Sequence, residues 1–220
     1  MAIPGLYAAR MSNVHVVEHP VVAHLLATLR DKATPPDRFR AVIAQLGGLL
    51  AYEATRDLAV REVQVDTPLE RMGVQRLARP VSIVPILRAG LGLAEGMLRV
   101  VPEAQVGHIG MFRDEDKLKP VSYYDKLPPS APSGTVLLAD PMLATGGSAI
   151  AALELLRSHG CDDITFVCVL ASPEGLQAIE RAGFDVPIVT AAIDRQLDDR
   201  GYILPGLGDA GDRTFGTLEN

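Results

Sequence analysis

Cysteine is scarce: Cys161 and Cys168 are the only two in 220 residues. Two such residues cannot build a disulfide framework, and their spacing is not that of a CxxC redox or metal motif, so both read as reduced core thiols of an intracellular chain. There is no run of Lys or Arg, and 21 basic residues face 27 acidic ones for a formal charge of −6. That balance argues against non-specific binding to nucleic acid or to anionic membranes, while leaving room for a phosphorylated metabolite, which needs only a few local donors. Uncharged apolar stretches such as Ala41–Tyr52 are too short and too interrupted by Gln and Gly to span a bilayer. The opening residues lack the basic start and apolar core of a secretory signal, and a cytoplasmic location is expected. No internal repeat and no low-complexity linker divides the chain, no G-x-x-x-x-G-K-[ST] is present, and no His/Cys/Asp group has metal-ligand spacing. His15, His19 and His24 come nearest to such a group, and solvent-facing or capping roles explain them better.

What is present is a well-supplied core, with 48% hydrophobic and 22% charged residues, which excludes a disordered chain. The first sixty residues read as helical: Pro20–Arg30 is apolar, and Phe39, Val42, Ile43, Leu46, Leu49 and Leu50 follow a 3.6 period with a weak point at Gly47-Gly48. Residues 61–80 read as a strand and a loop. From Val81 the texture changes to short apolar runs at Val81–Leu87, Val106–Met111, Thr135–Ala139, Ile164–Ala171 and Ile188–Ala192. Helical stretches at Gly90–Val100, Ser148–His159 and Pro173–Ala182 lie between them, the mark of a parallel sheet covered on both faces. Residues 113–134 break this alternation and read as a long exposed excursion, and Asp194–Asn220 reads as a Gly- and Asp-rich tail without a period. One α/β domain is expected, with a helical segment at 1–60, a core at 81–192 and a C-terminal segment at 193–220.

Three glycine-rich segments compete as phosphate sites. Gly206-Leu-Gly208-Asp-Ala-Gly211 matches G-x-G-x-x-G but stands too near the end of the sequence for the helix and acidic residue that a dinucleotide site requires. Gly90-Leu-Gly92-Leu-Ala-Glu95-Gly96 follows a strand, but its third glycine comes one residue late. The third, Asp140-Pro-Met-Leu-Ala-Thr-Gly-Gly-Ser148, follows an apolar strand and opens a helix. Its glycines let the backbone wrap an anion, the helix start supplies N–H donors, and Thr145 and Ser148 add hydroxyls. An ordinary turn with a capping serine would explain Thr-Gly-Gly-Ser alone; the preceding strand and acid favour a phosphate loop.

That segment resembles the phosphoribosyl-pyrophosphate (PRPP) loop of the type I phosphoribosyltransferase family, with Pro141 in place of the second acid, as in the uracil branch. The resemblance extends through Tyr52-Glu-Ala-Thr55, Pro85-Ile-Leu-Arg-Ala-Gly-Leu-Gly92, Met111-Phe-Arg113, Pro173-Glu-Gly175, Gly201–Asp212 and Phe215-Gly-Thr217. It implies a mostly parallel sheet flanked by helices, a C-terminal hood over the base and a protruding arm, with uracil and PRPP converted to UMP and pyrophosphate in pyrimidine salvage. The residues it implies for PRPP are Arg88, Arg113, Asp140, Pro141, Met142, Leu143, Ala144, Thr145, Gly146, Gly147, Ser148 and Asp209. For uracil they are Ile203, Gly208, Asp209 and Ala210, and Arg88, Asp140 and Asp209 stand nearest the chemistry. It further implies Mg²⁺ carried by PRPP rather than by a dedicated protein site, a homodimer or larger homo-oligomer, and in some members activation by GTP. Tyr123, Tyr124 and Lys126 suit either a closing lid or a subunit contact. A regulatory nucleotide- or RNA-binding protein on the same scaffold is the alternative, which the net negative charge weighs against.

Overall fold

The computed structural model describes residues 13–113 and 120–217. In chain order these form β1 (Val14–Val16), α1 (Pro20–Arg30), α2 (Pro36–Ala54), β2 (Val60–Asp66), β3 (Arg71–Leu77), β4 (Val81–Leu87) and α3 (Gly90–Val100). There follow β5 (Gln105–Val106), β6 (His108–Arg113), β7 (Pro120–Lys126), β8 (Thr135–Ala139), β9 (Met142–Leu143), α4 (Gly147–Ser158) and β10 (Ile164–Ala171). The chain ends in α5 (Pro173–Arg181), β11 (Ile188–Ile193), β12 (Gln196–Leu197), β13 (Ile203–Leu204) and α6 (Ala210–Phe215).

Continuous burial explains why the central strands are apolar at every position. Thr135–Ala139 and Ile164–Ala171 are buried throughout, so both faces of the sheet are covered. The main sheet runs β1-β11-β10-β8-β4-β6-β7, and its pairs are parallel up to β6. One face packs on α1, α2 and α3 through Leu29, Phe39, Leu46, Leu93 and Met97; the other packs on α4 and α5 through Leu153, Leu156, Leu176 and Ile179. Both cysteines are buried, and desolvation pushes the Cys168 thiol up to about 12, far from a reactive thiolate. Among the described residues no helix is long and apolar enough to cross a membrane.

Several expectations need correction. The N-terminal segment is not wholly helical, because Val14–Val16 adds a parallel edge strand beside β11. Residues 60–77 form a complete antiparallel hairpin rather than one strand and a loop. Gly47-Gly48 is no weak point: α2 runs unbroken past it, because a Cβ on Gly47 would lie 2.4 Å from the Leu93 carbonyl oxygen and one on Gly96 would lie 1.7 Å from that of Ala44. The glycines let α2 and α3 touch backbone to backbone, and that contact outweighs their cost in helix propensity. The stretch after Arg113 is not wholly irregular either, since Pro120–Lys126 pairs antiparallel with β6 and carries Tyr123, Tyr124 and Lys126 on the sheet's edge. Residues 114–119 of that stretch lie outside the described residues.

Candidate active site

Two adjacent parallel strands deliver the first functional groups. Pro85 of β4 stands opposite Ala139 of β8, so Arg88 and Asp140 leave the sheet at the same carboxyl end, where open α/β sheets hold ligands. The Asp140 N–H donates to the Val167 carbonyl (3.1 Å), and its Oδ1 accepts from the Met142 N–H (3.3 Å), so the acid also caps its own loop. Burial raises the Asp140 carboxyl from its ordinary 3.8 to about 7; the Met142 N–H opposes that rise, and the charge of Asp209 reinforces it. The side chain is nonetheless half-open to the adjoining concavity.

From Asp140 the chain makes the short strand β9, then turns at Gly146 into α4. Gly146 has φ +83°, a left-handed conformation, and a Cβ there would lie 2.9 Å from that of Ala178. The result is an open concavity of about 80 Å³ bounded by Asp140 and residues 142–149, with the start of α4 in its wall. Pro141, Leu143 and Gly146 are buried within the loop, whereas Thr145 and Ser148 are exposed toward solvent. Free N–H groups and the positive end of a helix dipole suit this concavity to an anion such as phosphate.

The loop is held from behind by the start of α5. Ser172, fully buried, donates its hydroxyl to the Ala144 carbonyl (2.6 Å) and accepts from the Gly175 N–H (2.8 Å). Its own N–H donates to the Leu143 carbonyl at 2.9 Å. Gly175 is pressed so close that a Cβ would lie 2.4 Å from the Ala144 oxygen. Ser172 escaped the sequence reading, although a serine before Pro173 at the head of an apolar helix is a legible N-cap.

Arg88 follows β4 across a cis Leu87–Arg88 peptide bond and is largely exposed. Its guanidinium lies 3.6 Å from Asp212 Oδ1 and 5.7 Å from the centre of the Phe215 ring, both on α6. Arg113 closes β6 at the same end of the sheet, one strand further out.

The C-terminal segment, although its sequence shows no period, is built from two short strands and a helix. β12 and β13 form a short hairpin whose turn is fixed by Asp198, which accepts from the N–H groups of Arg200 (2.9 Å) and Tyr202 (2.8 Å). Glu174 of α5 accepts from the Leu197 N–H (3.1 Å), tying the hairpin to the phosphate-loop side. Asp209 caps α6 by accepting from the Asp212 N–H at 2.8 Å, Ile203 and Ala210 are buried, and Gly208 is exposed. This segment bends over the loop: a Cβ on Gly201 would lie 3.2 Å from the Thr145 methyl, and one on Gly211 3.7 Å from that of Ala89. The C-terminal segment therefore stands beside both the Asp140–Ser148 loop and Arg88.

The segment rests on α1 through residues absent from the sequence-based assignment. Arg213, buried against the Phe39 ring at 4.5 Å, donates to the carbonyls of Leu29, Leu207 (2.7 Å) and Asp31 (2.5 Å). Arg40 donates to the Thr214 carbonyl at 2.9 Å. Partnerships of such long sequence separation leave no local signature.

A larger cleft of about 360 Å³ opens at the opposite, amino end of the strands, beside His15, Glu53, Arg56 and Asp163. Its polar groups answer one another, Arg56 pairing with Glu53 (2.8 Å) and Thr135 with Asp163 (2.7 Å), so it offers less to a ligand than the carboxyl-end crevice. Among the described residues no three His, Cys, Asp or Glu side chains converge on a metal position.

The chain resembles proteins of one family along nearly its whole length. A family model described as uracil phosphoribosyltransferase matches residues 16–217. The uracil phosphoribosyltransferase of Dictyoglomus turgidum is 54% identical over 93% of this chain and 99% of its own length. That of Symbiobacterium thermophilum is 51% identical over 94% of this chain and all of its own. Among solved structures, the AQ2163 protein from Aquifex aeolicus superposes with a TM-score of 0.89 at 38% identity, covering 94% of this chain and 100% of that one. A hypoxanthine-guanine phosphoribosyltransferase from Bacillus anthracis, 12% identical with a TM-score of 0.50 over 72% of this chain and 80% of its own, shares the fold alone. Nothing in these matches favours a regulatory nucleotide- or RNA-binding protein. With a matching model over nearly its whole length and relatives at about half identity, the chain belongs to the uracil phosphoribosyltransferase family.

Proposed function

We propose that this enzyme transfers the phosphoribosyl group of PRPP to N1 of uracil, releasing pyrophosphate and forming UMP in pyrimidine salvage. The observation that carries the reading is a concavity suited to an anion at the start of α4, with the C-terminal segment standing beside it at Thr145.

In this reading the 5′-phosphate sits on Ala144–Ser148, backed by Pro141, Met142 and Leu143. Asp140 accepts from the ribose hydroxyls, and Arg88 and Arg113 take the pyrophosphate, for which the guanidinium fork is suited. As the bond from C1 to pyrophosphate lengthens, positive charge is shared between C1 and the ring oxygen. The protein then acts by holding the leaving group and keeping uracil N1 in line. Main-chain groups at Ile203, Gly208 and Ala210 complement the uracil edge, and Asp209 contacts PRPP. Cytosine would set donor against donor there, at a cost of ~1–3 kcal/mol per unmatched buried group.

Asp140 and Asp209 also bear on the metal. Asp140, at the mouth of the concavity, and Asp209, at the start of α6, are oxygen donors of the kind a hard cation takes, and would face Mg²⁺ brought in by PRPP and held largely through water. Its contribution when bound is to neutralise charge building on the pyrophosphate. The reading includes a cytoplasmic homo-oligomer, with Tyr123, Tyr124 and Lys126 at a subunit contact or lid; sedimentation with and without GTP, alongside the assay, tests oligomerisation and the effector together.

The deciding experiment supplies labelled uracil, PRPP and Mg²⁺ and looks for UMP. Label appearing in UMP supports the reading; no UMP at any uracil concentration overturns it.

A further inference from the structure

Behind the Gly206 turn of the C-terminal segment lies one polar cluster to which neither substrate has been assigned. Asp194 follows β11 and is buried, its side chain only 6% exposed. Its N–H donates to the Ala171 carbonyl at the end of β10 (2.9 Å), so its backbone is fixed to the sheet. Its carboxylate receives both arms of Arg30, from the last turn of α1: Nη1 to Oδ2 at 2.8 Å and Nη2 to Oδ1 at 2.6 Å. The same pair grips one residue of the hood from both sides. Gly206 N–H donates to Asp194 Oδ2 (2.8 Å), and Arg30 Nη1 donates to the Gly206 carbonyl (2.8 Å).

Gly206 needs such a grip. It has φ +65°, and a Cβ there would lie 2.0 Å from the Ile203 carbonyl oxygen, so the chain doubles back tightly on Ile203. This turn aims the backbone that follows, through Gly208 to the Asp209 cap of α6. A bidentate guanidinium–carboxylate pair is stiff and directional, and Arg30 Nη1 adds one further donated bond, to the turn itself at the Gly206 carbonyl.

We propose that Arg30 and Asp194 are positioning residues for the nucleobase: together they fix the Gly206 turn so that the Ile203 and Gly208–Ala210 backbone meets the pyrimidine edge. The inference rests on uracil binding in the hood, as proposed above. Neither side chain touches the phosphate loop, so their effect falls on the base and not on PRPP. A lysine at position 30 keeps the charge but cannot bond both carboxylate oxygens and the Gly206 carbonyl together.

The test measures kcat and the two KM values separately for wild type, Arg30→Lys and Asp194→Asn, with thermal melting of each. Removing one or more charge-assisted bonds should raise KM for uracil by about tenfold, with kcat and KM for PRPP near their wild-type values. Arg30→Lys is the milder change and decides alone if Asp194→Asn does not fold. A lowered melting temperature with unchanged KM for uracil, or a loss confined to KM for PRPP, overturns the proposal. Wild-type turnover of uracil in the same assay separates these outcomes from a failure of the functional reading itself.

Discussion

At the scale of single residues, Asp140 joins the site's chemistry to the protein's stability. Its carboxyl titrates near 7 when folded and near 3.8 when not, so between those values the folded chain keeps a proton that the unfolded chain has lost. The folded state therefore loses stability as pH climbs through this window. Asp140→Asn, which cannot ionise, escapes the loss, and its melting temperature should gain on wild type between pH 5 and pH 8. Its activity relative to wild type should fall as pH passes about 7, where wild type gains the carboxylate that the ribose needs and the variant cannot. A melting difference that shrinks with rising pH would contradict the assigned ionisation. Arg88 gives the second prediction. Replacing it by Ala removes a charge-assisted contact to pyrophosphate worth ~1.5–3 kcal/mol, so kcat/KM should drop roughly 10- to 150-fold. Wild-type kinetics in that variant would exclude the assignment.

At the scale of elements, the start of α5 stiffens the phosphate loop. Ser172→Ala leaves the part-buried Ala144 carbonyl and the buried Gly175 N–H without their hydroxyl partner, at ~1–3 kcal/mol of stability for an unsatisfied buried group. The loop it supports should loosen, raising KM for PRPP more than KM for uracil. Denaturant melts and paired KM measurements check both effects. The α2–α3 contact is less forgiving. With the Ala44 carbonyl where a Cβ of residue 96 would go, Gly96→Ala should force the helices apart and destabilise the protein by several kcal/mol, read as a lower denaturation midpoint.

These elements also show what local pattern can reveal. The central strands were legible because burial on both faces makes them apolar at every position, and the Asp140–Ser148 loop because strand, acid, glycines and helix are consecutive. The β12–β13 hairpin was not legible: two residues per strand carry no period, and its shape comes from Asp198 and Glu174. Nor was β1, whose three residues become a strand only because β11 offers an edge far along the chain. Gly47-Gly48 misled for a related reason, since propensity sees a poor helix former where the tertiary contact needs a missing side chain.

At the scale of the whole molecule, the site is assembled from distant parts of the chain. The hood belongs to the last twenty-odd residues, yet its support lies in α1 and α2 through Arg30, Arg40 and Arg213. Arg213→Ala would strip two buried carbonyls and one part-buried carbonyl of their donor at once, and a loss of about 3 kcal/mol in unfolding free energy is expected, with KM for uracil rising as well. A variant that melts like wild type would show that the hood stands without this support.

The edge strand β1 has one more consequence. Val14 pairs with Ile188, 174 positions further along the sequence, so this margin of the sheet cannot close until both segments have been made. In a growing chain the β1 segment therefore waits without its strand partner while everything between is synthesised, and that interval is when a holding chaperone has most to protect.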